Sequence, residues 1–401
     1  MKNICLITGS DLRKVMGVNY YIKSFIQCND FFENVRVNRV YSGSQFLKVD
    51  EDEEMPIGSD IGTTGYRIRR GFRTFLRNIL TYKFYPFEKF RYEYNLHRVS
   101  KKAIKMFTED KTPCDYIIFE ERGVAEYFFR HRKEIKKANT AKTFLVVHSE
   151  GDSRLSIPLR HSKRINEKIK NNLYKRRDYV YSMVDKVIYI SQKAYNSSIL
   201  PKEKRGYVYN GAPVIDYTFS PTTSAVKQFV CVGNLSGGKG QDKIIEAMSI
   251  LEDSDLKKMH MTFVGSGQNV DEYKNMMQQY GLNDHISFLG VRNDVPDILR
   301  NMDVFIMPSL TEGLSMSAIE AMRAGLYLVL TDTGGNKELC DENCGEICSR
   351  EPQDIAAIMK RLIVGDLISK EQKEHNHNRF IKSFSTRSMA VGYESLLTGC
   401  K

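Results

Sequence analysis

Two glutamates separated by seven residues, Glu312 and Glu320, stand in the run Pro308-Ser309-Leu310-Thr311-Glu312-Gly313-Leu314-Ser315-Met316-Ser317-Ala318-Ile319-Glu320. An apolar stretch ends near Met307, Gly313 permits close backbone approach, and helical periodicity begins near Ser315. At about 3.6 residues per turn, positions 313, 316 and 320 fall on one face, so both carboxylates can turn into one cleft. As acceptor-only groups they could grip sugar or ribose hydroxyls while the free amides of the helix start meet a phosphate. A local use competes: Ser317-x-x-Glu320 also fits a capping box, with Glu320 returning to the Ser317 amide. A glycosidase-type acid pair is a third use, but hydrolysis needs no phosphate-binding loop.

Such a loop is present. Val232-Gly233-Asn234-Leu235-Ser236-Gly237-Gly238-Lys239-Gly240-Gln241-Asp242 precedes a helical pattern at Ile244, Ile245, Ala247 and Met248. Its glycines let the backbone near a ligand, the helix start offers amides to an anion, and Lys239 adds a point charge, which suits a diphosphate. It is neither a Walker motif nor a dinucleotide Gly-x-Gly-x-x-Gly, and taken alone it reads equally as a flexible turn with a surface lysine. Val264-Gly265-Ser266-Gly267 and Phe288-Leu289-Gly290-Val291-Arg292 end two further strands on the same sheet edge, where a nucleotide would lie.

Short apolar strands alternating with helical patterns must position these groups, which makes the class α/β with parallel sheets covered by helices. The pattern predicts strands at Asn3–Thr8, Val35–Tyr41, Tyr116–Glu120, Thr143–His148, Lys186–Ile190 and Tyr207–Tyr209. In the second half they fall at Gln228–Val232, His260–Val264, Ile286–Leu289, Val304–Met307 and Leu326–Leu330. The turn-rich segment from Asn210 to Thr223 divides two halves, each the size of one doubly wound domain, with ligands expected beyond the carboxyl ends of the strands, in the cleft between them. The expected domain bounds are 1–212 and 213–384, followed by 385–401.

The run from Val232 to Glu338 resembles the retaining GT-B glycosyltransferases of family GT4. The matching elements are the loop with Lys239, Val264-Gly265-Ser266-Gly267, Phe288-Leu289-Gly290, the Glu312/Glu320 pair and Asp332-Thr333-Gly334-Gly335-Asn336-Lys337-Glu338. The first half matches more loosely, through Gly17, Val146-Val147-His148, the run from Asp185 to Ser191, and Val208-Tyr209-Asn210-Gly211. The resemblance implies a GT-B fold, two Rossmann-like domains facing a cleft, 1–212 binding acceptor and 213–384 binding nucleotide sugar, with 385–401 a C-terminal helix packing back on the first, and a UDP- or GDP-sugar as substrate with no cofactor and no metal. It implies that Lys239 neutralises the diphosphate beside Asn234 and Ser236, and that Glu320 binds the ribose. Glu312 with the backbone of Gly313, Leu314 and Ser315 would hold the sugar. Gly265, Gly267, Val291 and Arg292 would lie about the base, Gly17 would face the donor, and His148 would reach toward the sugar and the reacting oxygen. His148, Lys239 and Glu312 are thus the expected catalytic set. Relatives commonly carry Arg where this chain has Asn234, Gly-Gly where it has Gly17-Val18, and Pro where it has Tyr327. An Asn can donate a hydrogen bond but cannot replace an ion.

The charge is divided. Residues 1–210 hold 41 Lys/Arg against 24 Asp/Glu, and residues 211–401 hold 19 against 25, within a net charge of +11. Residues 66–105 contain twelve Lys/Arg and two Glu among Phe72, Phe75, Leu76, Ile79, Tyr82, Phe84, Tyr85, Phe87, Phe90 and Tyr92. A basic, aromatic element of this kind can sit on an anionic membrane surface or hold a lipid diphosphate; alternatively it is a packed stripe with a solvated basic face. No recognised nucleic-acid module accompanies the charge, so no nucleic-acid partner is expected. No apolar run approaches the roughly 20 residues of a spanning helix, which leads to an expected cytoplasmic place, peripheral to the membrane. Cys340, Cys344 and Cys348 lack the pairing usual for zinc. The expected activity is transfer of a hexosyl or N-acetylhexosaminyl group from a nucleotide sugar to a glycan or lipid-linked acceptor; the alternatives are a catalytically silent sugar-nucleotide binder and a nucleic-acid binder.

Overall fold

The computed structural model describes residues 1–12, 17–44, 46–49, 85–132, 135, 140–151, 167–220, 226–365 and 368–399, with the backbone alone at 85–96 and 167–170. The first sheet contains β1 (Lys2–Ile7), β2 (Val35–Tyr41), β3 (Phe46–Lys48), β4 (Tyr116–Phe119), β5 (Lys142–Val147), β6 (Lys186–Tyr189) and β7 (Arg205–Tyr207), in the order β3-β2-β1-β4-β5-β6-β7. The second contains β8 (Lys227–Val232), β9 (Met259–Val264), β10 (Ile286–Gly290), β11 (Val304–Met307), β12 (Tyr327–Thr331) and β13 (Gly345–Cys348), in the order β10-β9-β8-β11-β12-β13. All described pairings are parallel except β2 with β3. Both orders reverse direction once, between β1 and β4 and between β8 and β11, and such switch points open a crevice beyond the strands' carboxyl ends.

Strand composition follows from burial on both faces. In β1, Ile4 and Leu6 enter one apolar cluster, while Cys5 and Ile7 enter the other. The same alternation in β4 and β5 explains their nearly continuous apolar runs.

Three strand expectations change. β3 and β13 are short edge strands that carry no apolar run, and β13 finds its place because Gly345 lies close against Leu328. The strand expected at Tyr207–Tyr209 lies at Arg205–Tyr207, where Gly206 breaks the apolar pattern but pairs with Ile188.

The last helix, Thr386–Thr398, returns to the first domain. Tyr393 stacks edge-on against Phe25 with centroids 4.5 Å apart, and its hydroxyl is 2.6 Å from that of Tyr21. The basic aromatic element expected at 66–105 lies outside the described residues from 66 to 84, and Tyr85–Glu109 forms one helix. Among the described residues, no helix is long and apolar enough to cross a membrane.

Candidate functional site

The carboxyl ends of the two sheets meet. A Cβ on Gly313, in the loop after β11, would collide with the backbone carbonyl of His148, the residue after β5, and would lie 2.9 Å from Ile190 Cδ1. Glycine is needed there by the approach of one domain to the other.

At the second sheet's switch point two loops lock together. The amide of Leu310, after β11, donates to the carbonyl of Gly238, after β8, at 2.8 Å, and Gly240 (φ +82°) lies under Pro308. The aliphatic stem of Lys239 runs over Gly233, and its ammonium reaches Glu312 Oε1 at 2.5 Å. Ser309 Oγ donates to the same oxygen at 2.8 Å, and Thr331 Oγ1 donates to the Ser309 carbonyl at 2.7 Å, fixing that serine. Glu312 is only 8% exposed and Lys239 29%, so the pair forms a half-covered charged floor in which the cation is the more accessible partner.

The helix behind this floor, Met316–Arg323, is capped by Ser315, whose hydroxyl accepts from the Ala318 amide at 3.3 Å. The competing capping box of Ser317 and Glu320 is therefore not formed: the helix starts two residues earlier than that box requires, and Glu320 lies in its second turn, past the cap. Burial pushes the Glu320 carboxyl above its usual value, and Arg323 pulls it back. Glu320 in turn helps raise the Tyr20 phenol, next to burial of the ring itself, which places its charge toward the helix Gly17–Gln27 of the first domain. Gly17 opens that helix.

The turn at Gly265–Gly267 closes on the phosphate loop. Gly265 (φ +129°) approaches Gly233, the Leu235 amide donates to the Ser266 carbonyl at 3.1 Å, and Gly237 N donates to Tyr273 Oη at 2.8 Å. Exposed Asn234 holds its amide oxygen beside Gly267, where a Cβ would come within 2.5 Å, and Ser236 is half-buried. Farther out, Val291 is 39% exposed, while Arg292 is engaged in a bidentate pair with Asp294 at 2.7 and 2.5 Å. Leu314 is buried against Gly335. The structure thus brings Lys239, Glu312, Gly313, Ser315 and His148 together, with Glu320 on the adjoining helix, and leaves Val291 and Arg292 at the edge strand.

Several participants carried no motif. Glu120, which ends β4's apolar run, sits 2.7 Å from His148 Nε2; Glu121 takes Thr8 Oγ1, Gly9 N and Ser10 Oγ instead. Two successive carboxylates directly after an apolar strand were the available signal. Between domains, Glu338 accepts from the amides of Gln192 and Lys193, Lys193 pairs with Asp332, and Thr333 Oγ1 donates to Glu150. Tyr327 donates its hydroxyl to Glu346 at 3.4 Å.

Two Rossmann-like sheets facing each other across a cleft, with a glycine-rich loop and a paired carboxylate at one switch point, make a GT-B fold. Residues 220–381, the second domain, match the family model Glycosyl transferases group 1. It is similar to the O-antigen biosynthesis glycosyltransferase WclY of Escherichia coli, at 22% identity over 74% of this chain and 90% of that one. A UDP-Gal:alpha-D-GlcNAc-diphosphoundecaprenol alpha-1,3-galactosyltransferase of the same organism is 34% identical over 27% of this chain and 28% of its own. Among solved structures, Anabaena HepE in complex with UDP-glucose matches the fold over 100% of both chains with a TM-score of 0.68 and 17% identity.

Proposed function

We propose that the protein is a glycosyltransferase that moves a hexosyl or N-acetylhexosaminyl group from a UDP- or GDP-sugar to a glycan or lipid-linked acceptor in cell-surface polysaccharide assembly, with retention of configuration. The observation that carries the reading is the Lys239–Glu312 pair at the β8/β11 switch point, a cation and a carboxylate held side by side where a diphosphate and its sugar would meet. Lys239 and the amides of the loop stabilise the charge that develops on the departing diphosphate. Glu312 accepts from sugar hydroxyls and Glu320 from the ribose, so neither glutamate need act as general acid or base. Attack from the face that the diphosphate leaves gives retention, with a phosphate oxygen taking the acceptor's proton. On this reading the excess of positive charge in the first half serves an anionic acceptor or the cytoplasmic membrane surface.

The test is incubation of the pure protein with a panel of sugar nucleotides, with and without EDTA, following release of nucleoside diphosphate and the anomeric configuration of the product. Release that persists in EDTA with a retained anomer is expected. Silence with every donor, together with no binding of UDP or GDP, removes the reading; UDP binding without turnover turns it into the catalytically silent relative.

A further inference from the structure

His148 is clamped from behind. Its Nε2 lies 2.7 Å from Glu120 Oε2, and its ring meets Tyr21 edge-on with centroids 4.5 Å apart. The Glu120 side chain is 0% exposed, and its other oxygen, Oε1, has no hydrogen-bond partner, so the imidazole is the one polar contact made by this carboxylate among the described residues. Burial pushes the Glu120 carboxyl up, the bond to His148 pulls it down, and Glu121 adds a push upward. Tyr21 and Tyr393 are joined hydroxyl to hydroxyl; burial raises both phenols, and the Glu120 charge adds to the rise. The imidazole keeps 16% of its surface accessible, and the described hydrogen bonds leave Nδ1 free.

We propose that Glu120 is a positioning residue for the transfer: it accepts the proton of His148 Nε2 and so presents Nδ1 as a hydrogen-bond acceptor for a sugar hydroxyl in the cleft. This rests on the proposed transfer reaction. The reasoning is that of a carboxylate behind a histidine, which selects the tautomer and fixes the ring while the opposite nitrogen meets the substrate. A buried carboxylate whose one partner is that ring is an expensive arrangement for packing alone. Glu121, one residue on, cannot substitute, because its oxygens are taken by Thr8, Gly9 and Ser10.

The direct measurement is a long-range proton–nitrogen correlation spectrum of the full chain with 15N-labelled histidine, His148 being assigned by its loss in His148→Phe. The wild type is expected to carry its proton on Nε2; a proton on Nδ1 overturns the proposal, because Glu120 would then be the donor. Glu120→Leu is expected to mix the tautomers and lower turnover on the order of 100-fold with UDP affinity unchanged, and Glu120→Gln, which still offers an acceptor, to fall between. Wild-type turnover in Glu120→Leu also overturns it. Should that variant fail to fold, the wild-type spectrum and Glu120→Gln decide. If the wild type turns over no sugar nucleotide, the transfer reading fails, while the spectrum still rules on the Glu120–His148 bond.

Discussion

Glu338 of the second domain caps a helix of the first: its two carboxylate oxygens accept from the amides of Gln192 at 2.9 Å and Lys193 at 2.8 Å, at the start of Gln192–Asn196. Lys193 returns the contact through its ammonium to Asp332 Oδ1 at 2.8 Å. Thr333, between these acids in sequence, donates to Glu150 of the first domain and accepts from the Glu312 amide at 3.3 Å. One short segment therefore joins domain closure to the backbone of a donor-site residue.

Closure should depend on pH through Asp332. The Lys193 ammonium holds its carboxyl below the usual value, opposed by partial burial. A depressed carboxyl contributes stability above its unfolded pKa and loses it as pH falls through the folded one. Both partners are about half exposed, so the pair contributes under about 1 kcal/mol. Melting curves of the wild type and Asp332→Asn should differ slightly at neutral pH and converge in acid; a gap that widens in acid contradicts this assignment.

Glu338→Ala should cost about 1 kcal/mol, the ordinary loss of a helix cap, and also loosen the two domains. Small-angle scattering should show a larger radius of gyration, with UDP affinity near wild type because the donor loops are untouched. An unchanged radius would mean that the apolar contacts around the last helix suffice to hold the domains together.

At the next helix the cap and the carboxylate separate cleanly. Ser315→Ala should lower stability by about 1 kcal/mol, since Ser315 supplies the cap. Glu320→Gln should do the opposite near neutral pH. Its carboxyl is raised by burial, so ionisation penalises the fold as pH rises from the unfolded pKa to the folded one; the neutral amide avoids that penalty, and the advantage vanishes in acid. The same variant should weaken nucleotide binding, measured by calorimetry. Destabilisation at neutral pH would show that Glu320 has a structural partner.

How much of this was legible in the sequence depended on whether a feature is local. The switch-point loops announced themselves through Gly233, Lys239, Gly265 and Glu312, because close backbone approach and phosphate chemistry need those residue types at strand ends. The capping box at Ser317 stayed open as an alternative because Ser315 and Ser317 both stand near the helix start, and only the backbone decides which is the cap. The contacts of Glu120, Tyr21 and Tyr393 were out of reach: they join a strand end, the first helix and the last helix across 372 positions of sequence. Register between domains leaves no periodic trace.

Lys239 carries the test of the donor floor. Lys239→Met removes the ammonium and leaves the Glu312 carboxylate with Ser309 as its remaining hydrogen-bond partner among the described residues. A hydrogen bond to a charged group is worth about 1.5–3 kcal/mol, so UDP affinity should drop by roughly 10- to 100-fold. Inorganic phosphate or sulfate should protect the wild type, but not the variant, against heat. Unaltered UDP affinity would place the diphosphate elsewhere.

Gly313→Ala separates closure from donor binding most sharply. The atom it adds would meet the His148 carbonyl and lie 2.9 Å from its carbon, and that carbonyl sits at a strand end, where the backbone cannot yield as a side-chain tip could. The clash lies between domains, so the second domain should melt as before while the two halves part. Turnover should then fall far more than UDP affinity, with an increase in the radius of gyration like that of Glu338→Ala. If turnover and radius both stay at wild-type values, the approach of Gly313 to His148 is not part of the working state.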